Sequence, residues 1–258
     1  MTELEFHFHT GVEFSAPVSG HTFALHCLPV EDDAQKLQSY AVRIEPAAEY
    51  GLHRDGFGGW LVCGSCREPH TVFCYDSHGI VRVDGRAQAE PVNPVLKQFT
   101  ELTAMTPELE TLWQSLPLDG KPPQEQAALL NKAAAGALHY VTGLTGISTT
   151  AGQAFALGSG VCQDYAHILL ALARRSGFAA RYCMGLVPGE GATHAWVELA
   201  LPDGWHGYDP TFACEAGEEH LRFAVGRDAA DCRAERGIFR GAAEQTLHTE
   251  MRLDVRKG

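Results

Sequence analysis

The sequence predicts an α+β protein: a β-sandwich-like module over residues 1–90, then a domain of helices and antiparallel sheet over 91–258. Three observations predict it. Residues 3–86 break into short alternating, β-branched or aromatic runs separated by Gly, Asp and Ser turns. Residues 94–141 start segments with proline and run rich in alanine and leucine. Beyond residue 178 the alternation of two returns. Helices in one stretch and strands in the next give the α+β pattern.

Composition narrows the function. The 258 residues are 45% hydrophobic and 20% charged, an ordinary globular balance with ample chain for a core. A net charge of −12 argues against nucleic acid or an anionic membrane as partner. With no long acidic run, the acidity reads as solubility. The opening Met-Thr-Glu-Leu-Glu-Phe-His has neither the basic nor the apolar region of a signal peptide, and no apolar run is long enough to span a bilayer. Eight thinly spread cysteines suit a reducing compartment, so the expected location is cytoplasmic. No internal repeat or low-complexity tract stands out.

In chain order, strands are expected at Leu4 to Thr10, His21 to Pro29, Leu37 to Glu45, Trp60 to Cys63, His70 to Tyr75 and Gly79 to Val83. His7 and His9 share a strand face, a spacing that metal ligands also use. Cys63-Gly-Ser-Cys66, with His70 and Cys74 downstream, resembles half a zinc site, but the second knuckle is missing and a tight turn is expected instead. Flanking strands also disfavour a redox Cys-x-x-Cys, which should open a helix. Prolines 91 and 94 mark a boundary at 87–93. Helices are expected over Pro94 to Ala104, Pro107 to Leu116 and Gln124 to Val141. Gly143 to Ser148 reads as a loop, and Thr149 to Phe155 leads into the next helix.

The chemistry concentrates between Gly158 and Thr211. Val161 to Arg175 is helical in period, with Ser159 and Gly160 as caps and with Cys162, Tyr165, Ala166, Leu169, Leu170 and Ala173 on one face. Asp164 and His167 fall outside that stripe. Cys162 therefore sits in the first turn, where free N–H groups and the helix dipole favour a thiolate. Strands follow at Phe178 to Leu186 and Thr193 to Leu201, the second with His194, Trp196 and Glu198 on one face. Leu201-Pro202-Asp203-Gly204 suits a type I turn. That turn pairs residues whose numbers sum to 405, so Trp196 faces Asp209 and His194 is the same-face diagonal neighbour of Asp209. Their Cβ atoms would lie roughly 7–8 Å apart, a gap the two side chains can span. A slip of one residue would destroy the contact.

Gly-Val-Cys162-Gln-Asp-Tyr-Ala-His, Ala-Arg-Tyr at 180–182, His194-Ala-Trp-Val-Glu and Tyr-Asp209-Pro-Thr-Phe stand in an order and spacing that resembles the bacterial branch of the transglutaminase-like superfamily. Gly-Arg-Asp at 226–228, Asp231 and Gly237 also look like that family. The resemblance implies a papain-like fold for the catalytic domain, preceded by a β-rich region. It implies Cys162 as nucleophile, His194 as base and Asp209 as orienter. The expected activity is acyl transfer from a peptide or carboxamide through a thioester on Cys162. A peptide or protein is the expected substrate partner, and the oligomeric state stays open. No cofactor and no metal are expected, since nothing resembles a calcium loop of the Asp-x-Asp-x-Asp-Gly type.

Hydrolysis as a peptidase or amidase is the leading reading. Transfer to an amine, as in a transglutaminase, uses the same triad. A non-catalytic binding module is the alternative from another class. The Cys162 backbone N–H offers one oxyanion donor, and Gln153 is a weak candidate for the second. Trp196 could wall the site or simply pack. Glu198 could meet a substrate amine or Arg181. Gln163 and Asp164 read as helix-start residues, and His206 points away from Asp209.

Overall fold

The computed structural model describes residues 1–85 and 91–256. The N-terminal half is organised on one strand, β1 (Thr2–Leu25), whose 24 residues alternate buried Leu4, Phe6 and Phe8 with solvent-facing Glu5 and His7. It is followed by β2 (Gln35–Glu45), β3 (Glu49–Arg54), β4 (Trp60–Cys66) and β5 (His70–Val83). The first half of β1 pairs with β5. The register then shifts between Glu13 and Val18, and the last residues, His21 to Leu25, pair with β4. One strand thus serves two sheets through an irregular bend, which makes the module sandwich-like. The two strands expected at Leu4 to Thr10 and His21 to Pro29 are this single bent one. Likewise His70 to Tyr75 and Gly79 to Val83 are both part of β5.

Cys63 and Cys66 lie inside β4, not in a tight turn as expected, because β4 is held between β1 and β3 through Cys66 and Ser65. The chain reverses after them, at 67–69. His7 and His9 both face outward, and His9 Nδ1 pairs with Asp76 at 2.7 Å.

The helical stretch comprises α1 (Pro107–Gln114), α2 (Pro123–Ala135), β6 (His139–Tyr140), α3 (Ala151–Leu157), β7 (Ser159–Gly160) and α4 (Cys162–Arg175). The helix expected over Pro94 to Ala104 is only a 3-10 turn at Pro94–Lys97. Thr103 Oγ1 draws in the Thr100 amide and hydroxyl, closing a local turn that competes with helix. α2 stops at Ala135 rather than 141, with Gly136 as its cap. Beyond α4 come β8 (Ala180–Leu186), β9 (Gly189–Gly191), β10 (His194–Leu201), β11 (Gly204–Asp209), β12 (Cys214–Ala216) and β13 (Leu221–Gly226). Five of these form an antiparallel sheet in the order β12-β11-β10-β8-β13.

α4 lies between that sheet and the other three helices, so residues 164–174 are all buried and no single stripe describes it. Asp164 and His167, expected off the packing face, have no exposure at all. Arg174 is buried too and donates to Leu96 O, Thr103 Oγ1, Ala180 O and Arg227 O, tying the 3-10 turn and β8 to the Gly226–Asp231 segment. Such a guanidinium is tolerated because its donors are satisfied.

The chain then returns to the first module as β14 (Glu235–Arg240) and β15 (Gln245–Arg256). β15 pairs with β1 from Phe14↔Gln245 to Glu3↔Arg256. The boundary expected at 87–93 lies partly outside the described residues, and strands from both ends of the chain build the first sheet. One continuous core spans both parts. Phe223 of β13 packs its ring against Phe6 at 5.4 Å and Phe8 at 5.3 Å. The buried Gln35 carboxamide exchanges hydrogen bonds with the backbone of Arg222. Phe223→Ala should therefore cost about 3–5 kcal/mol, a large Phe→Ala value because both sheets lose contact, measurable by urea unfolding.

Candidate active site

Cys162 owes its place to a short, constrained approach. Gly158 ends α3 in the left-handed region at φ 66°, and Ser159-Gly160 then pair in parallel with His139-Tyr140. The expected caps, Ser159 and Gly160, are occupied in that pairing. Asp164 caps the helix instead: its Oδ2 accepts from Val161 N at 2.8 Å and from Thr145 Oγ1 at 2.6 Å. Any Cβ at position 160 would lie 2.6 Å from that same oxygen, so glycine is required there. Gln163 turns its amide to Gly146 O. Cys162 is left as the first helical residue, half-buried, at the positive end of the dipole.

His194 and Asp209 meet as the turn geometry requires. β10 and β11 pair Leu201 with Gly204 and Val197 with Tyr208, the expected register. His194 Nε2 lies 2.7 Å from Asp209 Oδ2. The Cys162 thiol interacts electrostatically with the imidazole, and Nδ1 is the ring nitrogen that Asp209 leaves free. Asp209 Oδ1 accepts from the Thr211 and Phe212 amides, which fixes the carboxylate's orientation.

Asp209 has a second imidazole partner that sequence reasoning did not find. His220 Nε2 stands 3.3 Å from the same Oδ2, and its Nδ1 accepts from Gly217 N at 3.2 Å. That acceptor role puts the proton on Nε2, so His220 donates to Asp209. No local pattern marks it, since the turn before β13 brings it across eleven residues.

Electrostatics follow from the contacts. Burial alone would raise the Asp209 carboxyl, but the hydrogen bonds from His194 and His220 hold it well below the usual carboxylate range. Burial opposes a charge on His194, yet its bond to Asp209 and the Cys162 thiol nearby push it up to about 9.

The walls are aromatic. Phe212 stacks on His194 at 5.0 Å, and Trp196, almost fully buried, contacts both His194 and His220. Trp196 thus packs behind the imidazole and does not line the Cys162 cleft. Tyr140, brought alongside by the β6–β7 pairing, lines with Cys162, His194 and Phe212 a cleft of about 280 Å³. Glu198 pairs with Arg181 at 2.6 Å, settling its alternatives, and His206 binds Asp203 in the turn. Gln153 accepts the Thr150 amide in a capping box at α3 and does not line the cleft. Asp209, Cys214 and His220 bring ligand atoms within 4.8 Å of one another, with His220 already committed as donor to Asp209.

Residues 112–210 match the transglutaminase-like superfamily, and residues 4–82 match the bacterial transglutaminase-like N-terminal region. The chain belongs to the transglutaminase-like superfamily. An uncharacterized protein of Mycobacterium leprae is 27% identical over 92% of this chain and 93% of its own length. One of Mycobacterium tuberculosis is 28% identical over 86% and 82%. The structure of a "Putative Cysteine Protease" from Cytophaga hutchinsonii shares the fold, with a TM-score of 0.81 at 19% identity over 100% of this chain and 91% of that one. Membership supports a cysteine acyl-transfer enzyme. No helix among the described residues is long and apolar enough to cross a membrane.

The His194–Asp209 couple should show in stability against pH. A depressed carboxyl stabilises the fold above about pH 4, the unfolded value, and loses that contribution as pH falls. A raised imidazole stabilises below about 6.5 and loses its contribution as pH rises through about 9. The stability gap between wild type and Asp209→Asn should be widest near pH 5–6.5 and shrink on both sides, as read by urea unfolding at acid, neutral and alkaline pH.

Proposed function

We propose that this protein is a cysteine peptidase or amidase in which Cys162 is the nucleophile, His194 the general base and acid, and Asp209 the residue that orients His194. The observation that carries the reading is the convergence of a helix-start thiol and an imidazole on one cleft, with a fully buried carboxylate bonded to the far side of the imidazole. This is the nucleophile–base–orienter arrangement of thiol acyl transfer.

The steps follow from the contacts. His194 Nδ1 takes the Cys162 proton and the sulfur adds to the substrate carbonyl carbon, moving the π electrons onto oxygen. The Cys162 amide, at the first position of α4 where helix geometry offers no intrahelical partner, supplies one donor to that oxyanion, and Tyr140, which lines the same cleft, supplies its hydroxyl as the second. Collapse breaks the C–N bond, and His194 returns its proton to the leaving amine, giving a thioester. Water then loses a proton to His194 and attacks the thioester, and the carboxylic acid leaves as the sulfur is reprotonated. Asp209 stabilises the imidazolium in each half. Placed in the cytoplasm, the eight free thiols would stay reduced, as this chemistry needs.

The test is covalent labelling joined to turnover. Iodoacetamide at neutral pH should label Cys162 ahead of the other cysteines, and His194→Ala should slow that labelling. Peptide-library hydrolysis should vanish in Cys162→Ala and fall about 10²–10⁴-fold in His194→Ala. Tyr140→Phe should lower kcat about 10²-fold or more with labelling unchanged, the signature of a lost oxyanion donor. Labelling no faster than at the buried thiols would sink the enzyme reading in favour of a binding module. Incorporation of an added primary amine in place of water would make the protein a transglutaminase.

A further inference from the structure

The Cys162 cleft adjoins a second cavity of about 410 Å³, and Ala192, Thr193 and Met251 line both. Gln163 and Thr193, the direct neighbours of Cys162 and His194, form part of its wall. The cavity therefore begins one residue from each member of the reacting pair. Most of its remaining wall is apolar, with Tyr75, Tyr182, Met184 and Leu247 prominent. At the mouth, Ile147 and Leu247 expose 64% and 59% of their surface, so the apolar lining continues out to solvent.

Two charged residues, Glu235 and Arg233, interrupt this lining. Glu235, at the start of β14, lines the cavity with its Oε2 buried and without a hydrogen-bond partner among the described residues. Arg233 lines the same cavity and forms no ion pair with Glu235 among the described residues. Burial pushes the Glu235 carboxyl up to about 7. A buried carboxylate oxygen left unpaired is costly, and a native fold that keeps one invites a partner from outside.

We propose that this cavity is the subsite for a substrate side chain bearing a cation on an aliphatic stem, lysine in the first instance, with Glu235 as the group that pairs with it. The proposal rests on the acyl-transfer reading of Cys162 only for its role in specificity. The apolar wall suits the methylene stem and the carboxylate suits the ammonium. The net charge of −12 also favours a cationic ligand on approach. An ammonium held by Glu235 keeps its proton and has no free electron pair, so it cannot be the amine that attacks the thioester. The site selects the acyl substrate and not the acceptor.

The experiment uses the whole chain carrying Cys162→Ala, so no turnover is needed. Calorimetry would compare Nα-acetyl-Ala-Lys-Ala-amide with the norleucine peptide of the same length. The lysine peptide should bind at least about 10-fold more tightly, and Glu235→Gln in the same background should erase the difference. Glu235→Gln should fold at least as stably as its parent, since an unpaired buried carboxyl is replaced by a neutral group; an unfolding curve checks this. Leu247→Lys, at the exposed mouth, is a second route: a resident cation beside the cavity should remove the same preference. Equal affinity for the two peptides, no binding of either, or a lysine preference that survives Glu235→Gln would each overturn the proposal. Because binding is read without Cys162, these results stand apart from whether the thiol proves reactive.

Discussion

The register of β10 is the constraint on which the rest depends. On one side it pairs with β8, setting Glu198 opposite Arg181; on the other it pairs with β11, bringing His194 to Asp209. Side chains alternate across a strand, so a one-residue slip would turn His194 away from the cleft and break the Glu198–Arg181 pair as well. The two consequences reinforce each other. Packing that holds the buried ion pair in register also holds the His194 imidazole, and α4 laid across the same sheet brings the Cys162 thiol towards it.

α4 shows how the polar chemistry is carried inside a core. Its apolar residues fill the interior, while Asp164 and Arg174 sit near opposite ends with their charge spent on local partners. Asp164 pins the first turn from inside by accepting from Val161 N. Arg174 draws the segment beyond β13 against the helix through the Arg227 carbonyl. Neither residue faces the cleft, and both fix the backbone that does.

Much of the site was legible because its determinants are local. Pro202-Asp203-Gly204 fixed a tight turn, the turn fixed the register, and the register joined His194 to Asp209. Proline at the start of α1, and the apolar run after Cys162, marked helices by their start signal and period. What escaped was set by tertiary contact. The bend in β1 hides in a register shift that no alternation reveals. His220, Phe212 and Tyr140 reach the Cys162–His194–Asp209 cluster by chain reversals whose lengths carry no signal. The 94–104 segment loses its helix to threonine hydroxyls and to a distant guanidinium. β15 finds β1 across more than two hundred residues, and no local pattern could announce that pairing.

That last pairing also orders events in time. β15 lies between β1 and β9 in the sheet, and its residues Met251–Leu253 both hold β9 and wall the Cys162 cleft. A ribosome makes this strand after Cys162, His194 and Asp209. While the chain is still being synthesised, the thiol and imidazole can exist without the wall that shapes their cleft. Only release of the final strand lets the sheet close around them, so the topology itself delays the assembled cleft until synthesis has passed it.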